Sequence, residues 1–370
     1  MSNRLRRPEK RTAKQMTEQS LPSQSLPTLT LIISAYNEQS VIERKLRNVS
    51  LLHYPSELLD VIVVSDGSTD STNAIVERYS AHTDSRVRLL TMEQQSGKTA
   101  GLNHAVPAAR GTILIFSDAN AMYADDALRR LVEPFSDPTV GYTVGSALYH
   151  DEHDGAVNIS EGLYWKYELW VKKLESDYFS VVGGDGAIYA IRRELYRPLD
   201  KIDISDFVNP LQIVADGFRG IFLPAARSYE SGTEAFVDEF RRKRRIVNRS
   251  WGAVRRHIGL FSLRNDLRFL FMLISHKAIR WWSCVFVLIA FATACLMAYV
   301  QSGGLYFWLA VLIAGSVAVA GIGWAADVRE HPMPKFVYLF YYFYLVGVAS
   351  LLGILDDLRG RRHTIWRHVR

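Results

Sequence analysis

The hydrophobic positions of the first 280 residues fall into short runs that polar segments separate. Four of these runs have the composition of strands: Leu29–Ser34, Leu59–Val64, Val87–Leu90 and Thr112–Phe116. A helical pattern follows each of the first two runs, and strands that alternate with helices predict parallel pairing in an open α/β sheet. The runs are continuously apolar rather than alternating, which indicates that both faces of the sheet are buried.

The last part of the chain contains three uncharged apolar runs: Trp281–Val300, Leu305–Ala326 and Phe336–Leu355. Each has about 20 residues, enough to cross roughly 30 Å of hydrocarbon at about 1.5 Å per residue. Buried core helices are the alternative, but three such runs in succession with short linkers favour the membrane. We therefore expect a transmembrane region over 281–355, with helices over 281–300, 305–326 and 336–355.

The charges that flank these runs give conflicting orientations. Basic residues before Trp281 place that side in the cytosol by the positive-inside rule, and three crossings then put the tail 356–370 outside. That tail is basic, which favours the cytosol; its arginines are Arg359, Arg361, Arg362, Arg367 and Arg370. Either one segment is re-entrant or interfacial, or the charge rule fails here.

Residues 256–280 mix apolar and basic positions directly before the first apolar run. The apolar members include Leu267, Phe271 and Ile274, and the basic members include Lys277 and Arg280. This pattern predicts an amphipathic helix that lies in the membrane interface; an ordinary surface helix is the alternative.

The net charge of +6 suits anionic lipids or phosphorylated substrates. The basic run Arg241–Arg245 lacks interleaved aromatic residues and lies near the predicted membrane segments, so we expect no nucleic-acid partner. The two cysteines, Cys284 and Cys295, both lie in the first apolar run, so the polar part has no disulfide, as in a reducing cytosol. Residues 1–27 are polar and basic, and we expect a disordered tail without a signal peptide.

Two aspartates follow buried strands at the point where each strand ends. Asp66 comes after the second predicted strand, and Asp118 comes after the fourth. A single aspartate in such a place is commonly a turn or cap residue. Because open α/β sheets bind ligands beyond the carboxyl ends of their strands, the pair favours one common site.

Six short motifs, taken in order, resemble those of the family-2 glycosyltransferases. They are Ala35–Glu38, Ser65–Asp70, Gly97–Asn103, Ser117–Asn120, Gly183–Ala187 and Ser205–Phe207. In the family, the fourth is the D-x-D motif, the fifth is a glycine-rich loop on the acceptor side, and the sixth carries the catalytic aspartate. The resemblance covers about 28–255 and implies a GT-A fold, a mixed and mostly parallel sheet with flanking helices, followed here by transmembrane helices.

The membrane-embedded tail is similar to the branch that makes bacterial exopolysaccharides, which is related to the cellulose, chitin and hyaluronan synthases. Two positions depart from that pattern. Asn120 stands where D-x-D has its second carboxylate, and the Q-x-x-R-W motif appears only as Arg242–Ile246, without its glutamine and tryptophan. The second departure weakens the case for processive synthesis.

The resemblance assigns chemistry to individual residues. A divalent cation, Mg²⁺ or Mn²⁺, would offset the charge of the departing nucleotide diphosphate, with Asp118 and Asn120 as its ligands. Inversion at the anomeric carbon needs a base, and Asp206 is the predicted one, with Asp185 the next choice. The alternative for Asp206 is a cap or surface carboxylate on a helix that starts near Phe207.

The remaining predicted site residues hold the two substrates. Those on the donor side, beside Asp118, are Tyr36, Glu38, Asp66, Lys98, Arg242 and Arg245. Those on the acceptor side are Gly184, Asp185, Gly186 and Trp165, although an aromatic residue such as Trp165 is equally common in core packing.

These observations predict an inverting glycosyltransferase at the cytosolic face of the inner membrane. It would move a sugar from a nucleotide-diphosphate donor, most commonly a uridine one, to a growing polysaccharide or a lipid-linked glycan. The expected partners are the donor, the acceptor, membrane lipids and other proteins of polysaccharide synthesis and export. The alternatives are a single addition to a polyprenyl phosphate or ceramide, and an inactive scaffold of an export complex. A dinucleotide-binding dehydrogenase is excluded, since no G-x-G-x-x-G follows the first strand.

Overall fold

The computed structural model describes residues 26–150, 156–231, 236–260, 267–301 and 304–362. Its strands are β1 (Leu29–Ala35), β2 (Leu59–Ser65), β3 (Val87–Thr91), β4 (Ile113–Asp118), β5 (Met122–Tyr123), β6 (Val140–His150), β7 (Tyr189–Arg192) and β8 (Arg219–Ser231). Its helices are α1 (Ile42–Ser50), α2 (Thr72–His82), α3 (Lys98–Ala105), α4 (Ala127–Val132), α5 (Ala156–Tyr178), α6 (Ser205–Ala215), α7 (Phe236–His257), α8 (Leu267–Leu273), α9 (Ile279–Trp281), α10 (Ser283–Val300), α11 (Leu305–Val328) and α12 (Lys335–Leu358).

The eight strands form one mixed sheet in the order β3-β2-β1-β4-β7-β6-β8-β5. Strands β3, β2, β1 and β4 are mutually parallel, as the sequence predicted, and β4 pairs with β7 in antiparallel fashion. The fold is therefore the predicted GT-A architecture, followed by long apolar helices. The sequence pattern did not predict β5 to β8, because tertiary pairing rather than a continuous apolar run defines them.

The sheet is covered on both faces, because successive side chains of a strand point in opposite directions. In β1, Leu29, Leu31 and Ile33 pack into one buried cluster and Ile32 into the other. All seven residues of β1 are buried. The carboxyl ends of β1, β2 and β4 consequently meet at one edge of a rigid core, and the candidate site lies at that edge.

The three long apolar helices confirm the predicted segments, and each is long and apolar enough to cross a membrane. They are buried to different extents, however. Only 11% of the most apolar window of α10 and 6% of that of α11 are buried inside the protein, against 56% for α12. Helix α12 thus packs against the rest of the chain, chiefly against α7.

The close approach of Gly111 to β1 gives a test of this packing. A methyl group on Gly111 would lie 2.3 Å from both Leu29 C and Thr30 N, and neither backbone atom can move freely. We expect Gly111→Ala to lower the free energy of unfolding by about 1–3 kcal/mol, the usual cost of overpacking. The measurement is the thermal unfolding midpoint in detergent. Gly259→Ala is the matched control, since nothing lies within 4 Å of that position, and equal midpoints for the two variants would contradict the packing described.

Candidate active site

The loops that follow β1 and β2 hold each other through hydrogen bonds. Asn37 has a positive φ of 53°, and its Oδ1 accepts a hydrogen bond from Thr69 N at 2.8 Å. Asn37 N donates to Ser68 Oγ at 3.1 Å. Asparagine tolerates this left-handed conformation better than most residues. The two loops therefore form one fixed rim, on which Tyr36 is half-buried and Glu38 is buried.

Asp66 fixes the turn that leads into α3. Its two carboxylate oxygens accept hydrogen bonds from Ser96 N at 2.7 Å and Gly97 N at 2.8 Å. Burial raises the pKa of Asp66, and these two backbone bonds oppose the rise. The predicted nucleoside-binding residue therefore positions a turn in this structure, and that turn places Lys98 at the first position of α3.

Lys98 links two of the predicted motifs. Its Nζ lies 2.5 Å from Asp118 Oδ1 and donates to the carbonyl oxygen of Gly186 at 3.1 Å. Burial alone would lower the pKa of Lys98, but Asp118 and Asp206 raise it above its ordinary value. The lysine is therefore a charged bridge between the end of β4 and the glycine-rich loop.

Asp206 lies on the other side of the same loop. A methyl group on Gly186 would lie 3.2 Å from Lys98 Nζ, 3.5 Å from Asp206 Oδ2 and 3.6 Å from Asp118 Oδ2. Because Gly186 has no side chain, the space between Lys98, Asp206 and Asp118 stays open. Gly184 N donates to the carbonyl oxygen of Asp206, which ties the loop to the start of α6.

The local chemistry of Asp206 suits a base. The residue before α6 is Ile204, and no side chain caps this helix, so the alternative role of Asp206 as a cap is not seen. Burial raises the pKa of Asp206, and the neighbouring carboxylates of Asp185 and Asp118 raise it further, against the opposing effect of Lys98. A carboxylate held in this way takes up a proton more readily than an exposed one.

The segment before α6 is braced from two sides. Asp203 pairs with Arg256 at 2.5 Å, and its carbonyl oxygen accepts a hydrogen bond from Thr99 Oγ1 at 2.8 Å. Arg249 Nε donates to the carbonyl oxygen of Ile202 at 3.2 Å. Helices α3 and α7 thus fix the position of Asp206. No sequence motif marks Arg249, which lies one helical turn after Arg245.

Glu230, near the end of β8, is a second residue that sequence reasoning missed. Met122 pairs with Tyr229, so the antiparallel register carries Glu230 towards the loop that contains Asn120. Its Oε1 is shielded from solvent and has no hydrogen-bond partner among the described residues. Burial raises the pKa of Glu230 to about 8, with further contributions from Asp118 and Asp185. No sequence motif marks this glutamate. The one sequence feature that could have indicated it is a carboxylate at the end of a strand.

The predicted arginines of α7 form the opposite wall. Arg242 Nε lies 2.6 Å from Glu239 Oε2, and Tyr342 OH donates to Glu239 Oε1 at 3.0 Å. Burial lowers the pKa of Arg245 to about 10, with contributions from Arg249 and Arg242, whereas Asp118 raises it. Arg245 thus lies close enough to Asp118 to interact electrostatically, and the site has an acidic edge and a basic wall.

The predicted acceptor-side residues separate into two groups. Gly184, Asp185 and Gly186 lie at the site, and Asp185 Oδ2 is 3.4 Å from Lys172 Nζ. Trp165 packs against the sheet core, and its indole N–H donates to the carbonyl oxygen of Ala147. The core-packing alternative therefore describes the position of Trp165 in this structure.

A buried cluster of ion pairs ties the glycine-rich loop to the segment before α10. His276 lies on a π-helical turn, Ile274–Ala278. Its Nδ1 is 2.6 Å from Glu175 Oε1, and its Nε2 is 3.1 Å from Glu168 Oε2. Glu175 Oε2 in turn accepts a hydrogen bond at 2.9 Å from Val182 N, directly before the loop. We call these residues the His276 clamp.

The same segment directs its charges inward. Lys277 Nζ and Arg280 Nη1 lie 2.7 Å and 2.6 Å from the carboxylate of Glu168. Burial by itself would raise the pKa of Glu168, but Lys277 and Arg280 hold it well below its ordinary value. Phe271, at 69% exposure, and Ile279, at 49%, point outward instead. An apolar outer face of this kind suits contact with lipid.

The oxygen ligands around Asp118 fit a hard divalent cation. Among the residues that the structure describes, no group of three His, Cys, Asp or Glu side chains is already arranged around a metal position. Asp118 contributes a carboxylate, and Glu230 a shielded oxygen without a partner. Mg²⁺ and Mn²⁺ are commonly held by one or two carboxylates together with phosphate oxygens, so this set is sufficient once a diphosphate is bound.

Comparison with known proteins agrees with this geometry. Residues 30–199 match the family described as Glycosyl transferase family 2. The mannosyltransferase PcManGT from Pyrobaculum calidifontis, solved in complex with GDP-Man and Mn²⁺, superposes with a TM-score of 0.67 at 23% identity, over 92% of this chain and 89% of that one. The superposition thus shows that this chain has the GT-A fold. Residues 30–199 of this fold thus match glycosyltransferase family 2, the family that the sequence motifs resemble.

Two curated relatives are similar over shorter stretches. Beta-monoglucosyldiacylglycerol synthase from Nostoc sp. (strain PCC 7120 / SAG 25.82 / UTEX 2576) is 33% identical over 119 residues, which are 32% of this chain and 25% of that protein. The probable glycosyltransferase YdaM from Bacillus subtilis (strain 168) is 25% identical over 267 residues, 66% of this chain and 60% of that protein. The match to the first relative thus spans about a quarter of its length.

The His276 clamp makes a prediction about stability and about the loop. His276→Leu removes the ring nitrogens that contact Glu175 and Glu168, and a buried polar group left without a hydrogen-bond partner costs about 1–3 kcal/mol, or more when it is charged. We expect a clear fall in the thermal unfolding midpoint and a raised KM for the acceptor, with a smaller change for the donor.

The matched control removes both partners. In His276→Leu/Glu175→Leu, one of the stranded carboxylates is gone, so the loss should be smaller than the sum of the two single losses. Additive losses would mean that the two side chains do not interact, and the clamp would then have no role in positioning the loop.

Proposed function

We propose that this chain is an inverting glycosyltransferase that acts at the cytosolic face of a membrane and uses a nucleotide-diphosphate sugar. The observation that carries the proposal is the arrangement around Gly186, where Lys98, Asp118 and Asp206 surround one open position. This closeness supports the proposal, because a displacement on the anomeric carbon requires the base and the leaving group to lie near one reacting centre.

The chemistry follows from the two walls of the site. The acceptor hydroxyl attacks the anomeric carbon while Asp206 takes its proton, and the bond to the nucleotide diphosphate breaks. Lys98, Arg245 and Arg242 are placed to stabilise the negative charge that develops on the leaving group. Asp118, Asn120 and Glu230 are the residues that would hold a divalent cation, which when bound supplies further positive charge there.

The acceptor in this proposal is associated with the membrane. The His276 clamp connects the glycine-rich loop to the segment before α10, and Phe207, next to the candidate base, lies 6.5 Å from Trp281, measured between ring centroids. A hydroxyl at Asp206 is therefore near the point where the chain enters the apolar helices. A growing polysaccharide or a lipid-linked glycan meets this requirement, and membrane lipids and proteins of polysaccharide export are the corresponding partners.

The second candidate is a single sugar addition to a lipid. The missing glutamine and tryptophan at Arg242–Ile246 favour it, as does the similarity to a monoglucosyldiacylglycerol synthase. A test incubates the purified chain in lipid vesicles with a panel of radiolabelled nucleotide sugars and analyses the products. A polymer supports the first candidate and a labelled lipid the second. No transfer or hydrolysis from any donor would contradict both and favour an inactive scaffold.

Asp206→Asn tests the base. The amide keeps the shape of the side chain but cannot accept a proton at neutral pH, and general bases contribute about 10²–10⁴-fold to the rate. We expect transfer to fall at least a hundredfold with near-normal donor affinity and an unchanged unfolding midpoint. Asp125→Asn, at an exposed position, is the control and should behave as wild type. A near-normal rate for Asp206→Asn would move the assignment to Asp185.

The pH dependence of wild-type transfer tests the same residue. The pKa of Asp206 is raised in the folded protein, and only the deprotonated form is a base. The rate should therefore be lost as the pH falls through this raised pKa, at a higher pH than an ordinary aspartate would give. A rate that stays constant down to the ordinary range of aspartate would contradict the assignment.

Asp118→Ala and Asn120→Asp form a matched pair for the cation. The first removes the main carboxylate, so the nucleotide-diphosphate affinity should no longer depend on Mg²⁺ or Mn²⁺. The second restores the usual D-x-D pattern and should tighten cation affinity while activity persists. Both are measured by titrating the nucleotide diphosphate with and without cation. An unchanged cation effect in Asp118→Ala would remove Asp118 from the cation site.

A further inference from the structure

We propose that α12, although apolar enough to span a membrane, is a surface helix of the catalytic domain, so that only α10 and α11 cross the bilayer. On this interpretation α12 lies along the membrane surface, packed against α7 and the second half of α11, with its exposed side chains towards lipid. The chain then returns to the cytosolic side at its carboxyl end. The inference does not depend on sugar transfer, because membrane topology can be measured without it.

The first half of α12 is fixed to the start of α7. Phe236 packs against Tyr338 and Tyr341, with ring centroids 4.9 Å and 4.7 Å apart. Tyr342 OH donates to the buried carboxylate of Glu239 at 3.0 Å. Phe236 begins α7, five residues after β8 ends at Ser231. Because Phe236 contacts the first half of α12, this end of α12 lies at the catalytic domain.

The last turn of α12 is fixed to the same helix by ion pairs. Asp356 Oδ2 lies 2.6 Å from Arg244 Nε, and Asp357 Oδ2 lies 2.5 Å from Arg255 Nη2. Between the two ends, Asn248 Nδ2 donates to the carbonyl oxygen of Gly353 at 3.1 Å. Both ends of α12 therefore contact α7, and the glycine allows close approach of the two backbones.

The charge of α7 decides where this pair of helices lies. Helix α7 carries eight basic side chains: Arg241, Arg242, Lys243, Arg244, Arg245, Arg249, Arg255 and Arg256. If α12 crossed the bilayer, the length of α7 that runs beside it would have to enter the hydrocarbon, where each arginine at mid-depth costs about 2.5–3.5 kcal/mol or more. Because α7 also holds Arg245 and Arg249 at the candidate site, it must remain in the aqueous phase.

The exposed side chains agree with a hairpin of α10 and α11. These two helices bury almost nothing of their most apolar windows, as expected for lipid-facing spans. Helix α12 instead exposes one side and buries the other; its exposed large apolar residues are Phe336, Leu339, Phe340, Phe343, Val348 and Leu358. A helix whose exposed side is apolar and whose buried side forms ion pairs with the rest of the protein suits the membrane–water interface.

Two crossings also remove the conflict between the flanking charges. With an even number of spans, the basic residues before α10 and those after α12 lie on one side, as the positive-inside rule requires. The re-entrant or interfacial segment that the sequence left unspecified is then α12. The hairpin of α10 and α11 then anchors the protein in the bilayer. Helix α12 holds α7 at the membrane surface.

Cysteine labelling tests the topology directly. In a Cys284→Ala/Cys295→Ala background, single cysteines are introduced as Glu57→Cys in the catalytic domain, Gln301→Cys at the far end of the hairpin, and Arg359→Cys after α12. All three positions are exposed. Spheroplasts of a bacterial expression host are treated with a membrane-impermeant maleimide, before and after permeabilisation.

Two crossings predict labelling of Gln301→Cys in intact spheroplasts, and of Glu57→Cys and Arg359→Cys only after permeabilisation. Labelling of Arg359→Cys in intact spheroplasts would overturn the proposal, since it requires a third crossing. Failure of Gln301→Cys to label from outside would overturn the hairpin.

A charge exchange tests the contact between α12 and α7. Arg244→Asp and Asp356→Arg each place like charges together, so each should lower the unfolding midpoint in detergent and the yield of folded protein. The double variant restores opposite charges and should recover most of the loss. If the fall in unfolding midpoint of the double variant equalled the sum of the two single falls, Arg244 of α7 and Asp356 of α12 would not be in contact.

Discussion

The site depends on one electrostatic constraint: several carboxylates are held close together where little water reaches them. Lys98 neutralises part of this charge by pairing with Asp118 at 2.5 Å; burial, together with the neighbouring carboxylates, raises the pKa values of Asp206 and Glu230. Mutual repulsion of this kind disfavours folding, so the sheet core must hold the groups in place. The same repulsion favours proton uptake by one of the carboxylates and binding of a cation, because each of these events reduces the negative charge of the site.

The backbone geometry of the neighbouring loops follows from that constraint. Gly186 leaves open the space in front of Lys98 and the two aspartates, and Gly184 allows its N–H to reach the carbonyl oxygen of Asp206. Both carboxylate oxygens of Asp66 accept hydrogen bonds from the turn before Lys98. The charged groups are thus positioned by close backbone approach at glycines and by hydrogen bonds to backbone N–H groups.

The membrane-facing half of the protein reaches the site through buried ion pairs rather than through apolar packing alone. His276 joins Glu168 and Glu175, and Glu175 holds Val182 N at the start of the glycine-rich loop. On the basic wall, α7 is shared between the site and α12. A change in the packing of these helices would therefore act on the glycine-rich loop and on Arg245 together.

The sequence by itself determined the four parallel strands, the six site motifs and the three apolar helices, because continuous apolar runs and glycine-rich turns are local signals. It could not identify Glu230 or Arg249, since neither belongs to a motif and each reaches the site only through the pairing of β8 or the packing of α7. It also could not separate Trp165 from a sugar-binding aromatic residue, a choice made by the carbonyl oxygen of Ala147. The packing of α12 on α7 was likewise decided by tertiary structure: hydropathy measures what a helix could bury, whereas ion pairs with Arg244 and Arg255 fix what it does bury.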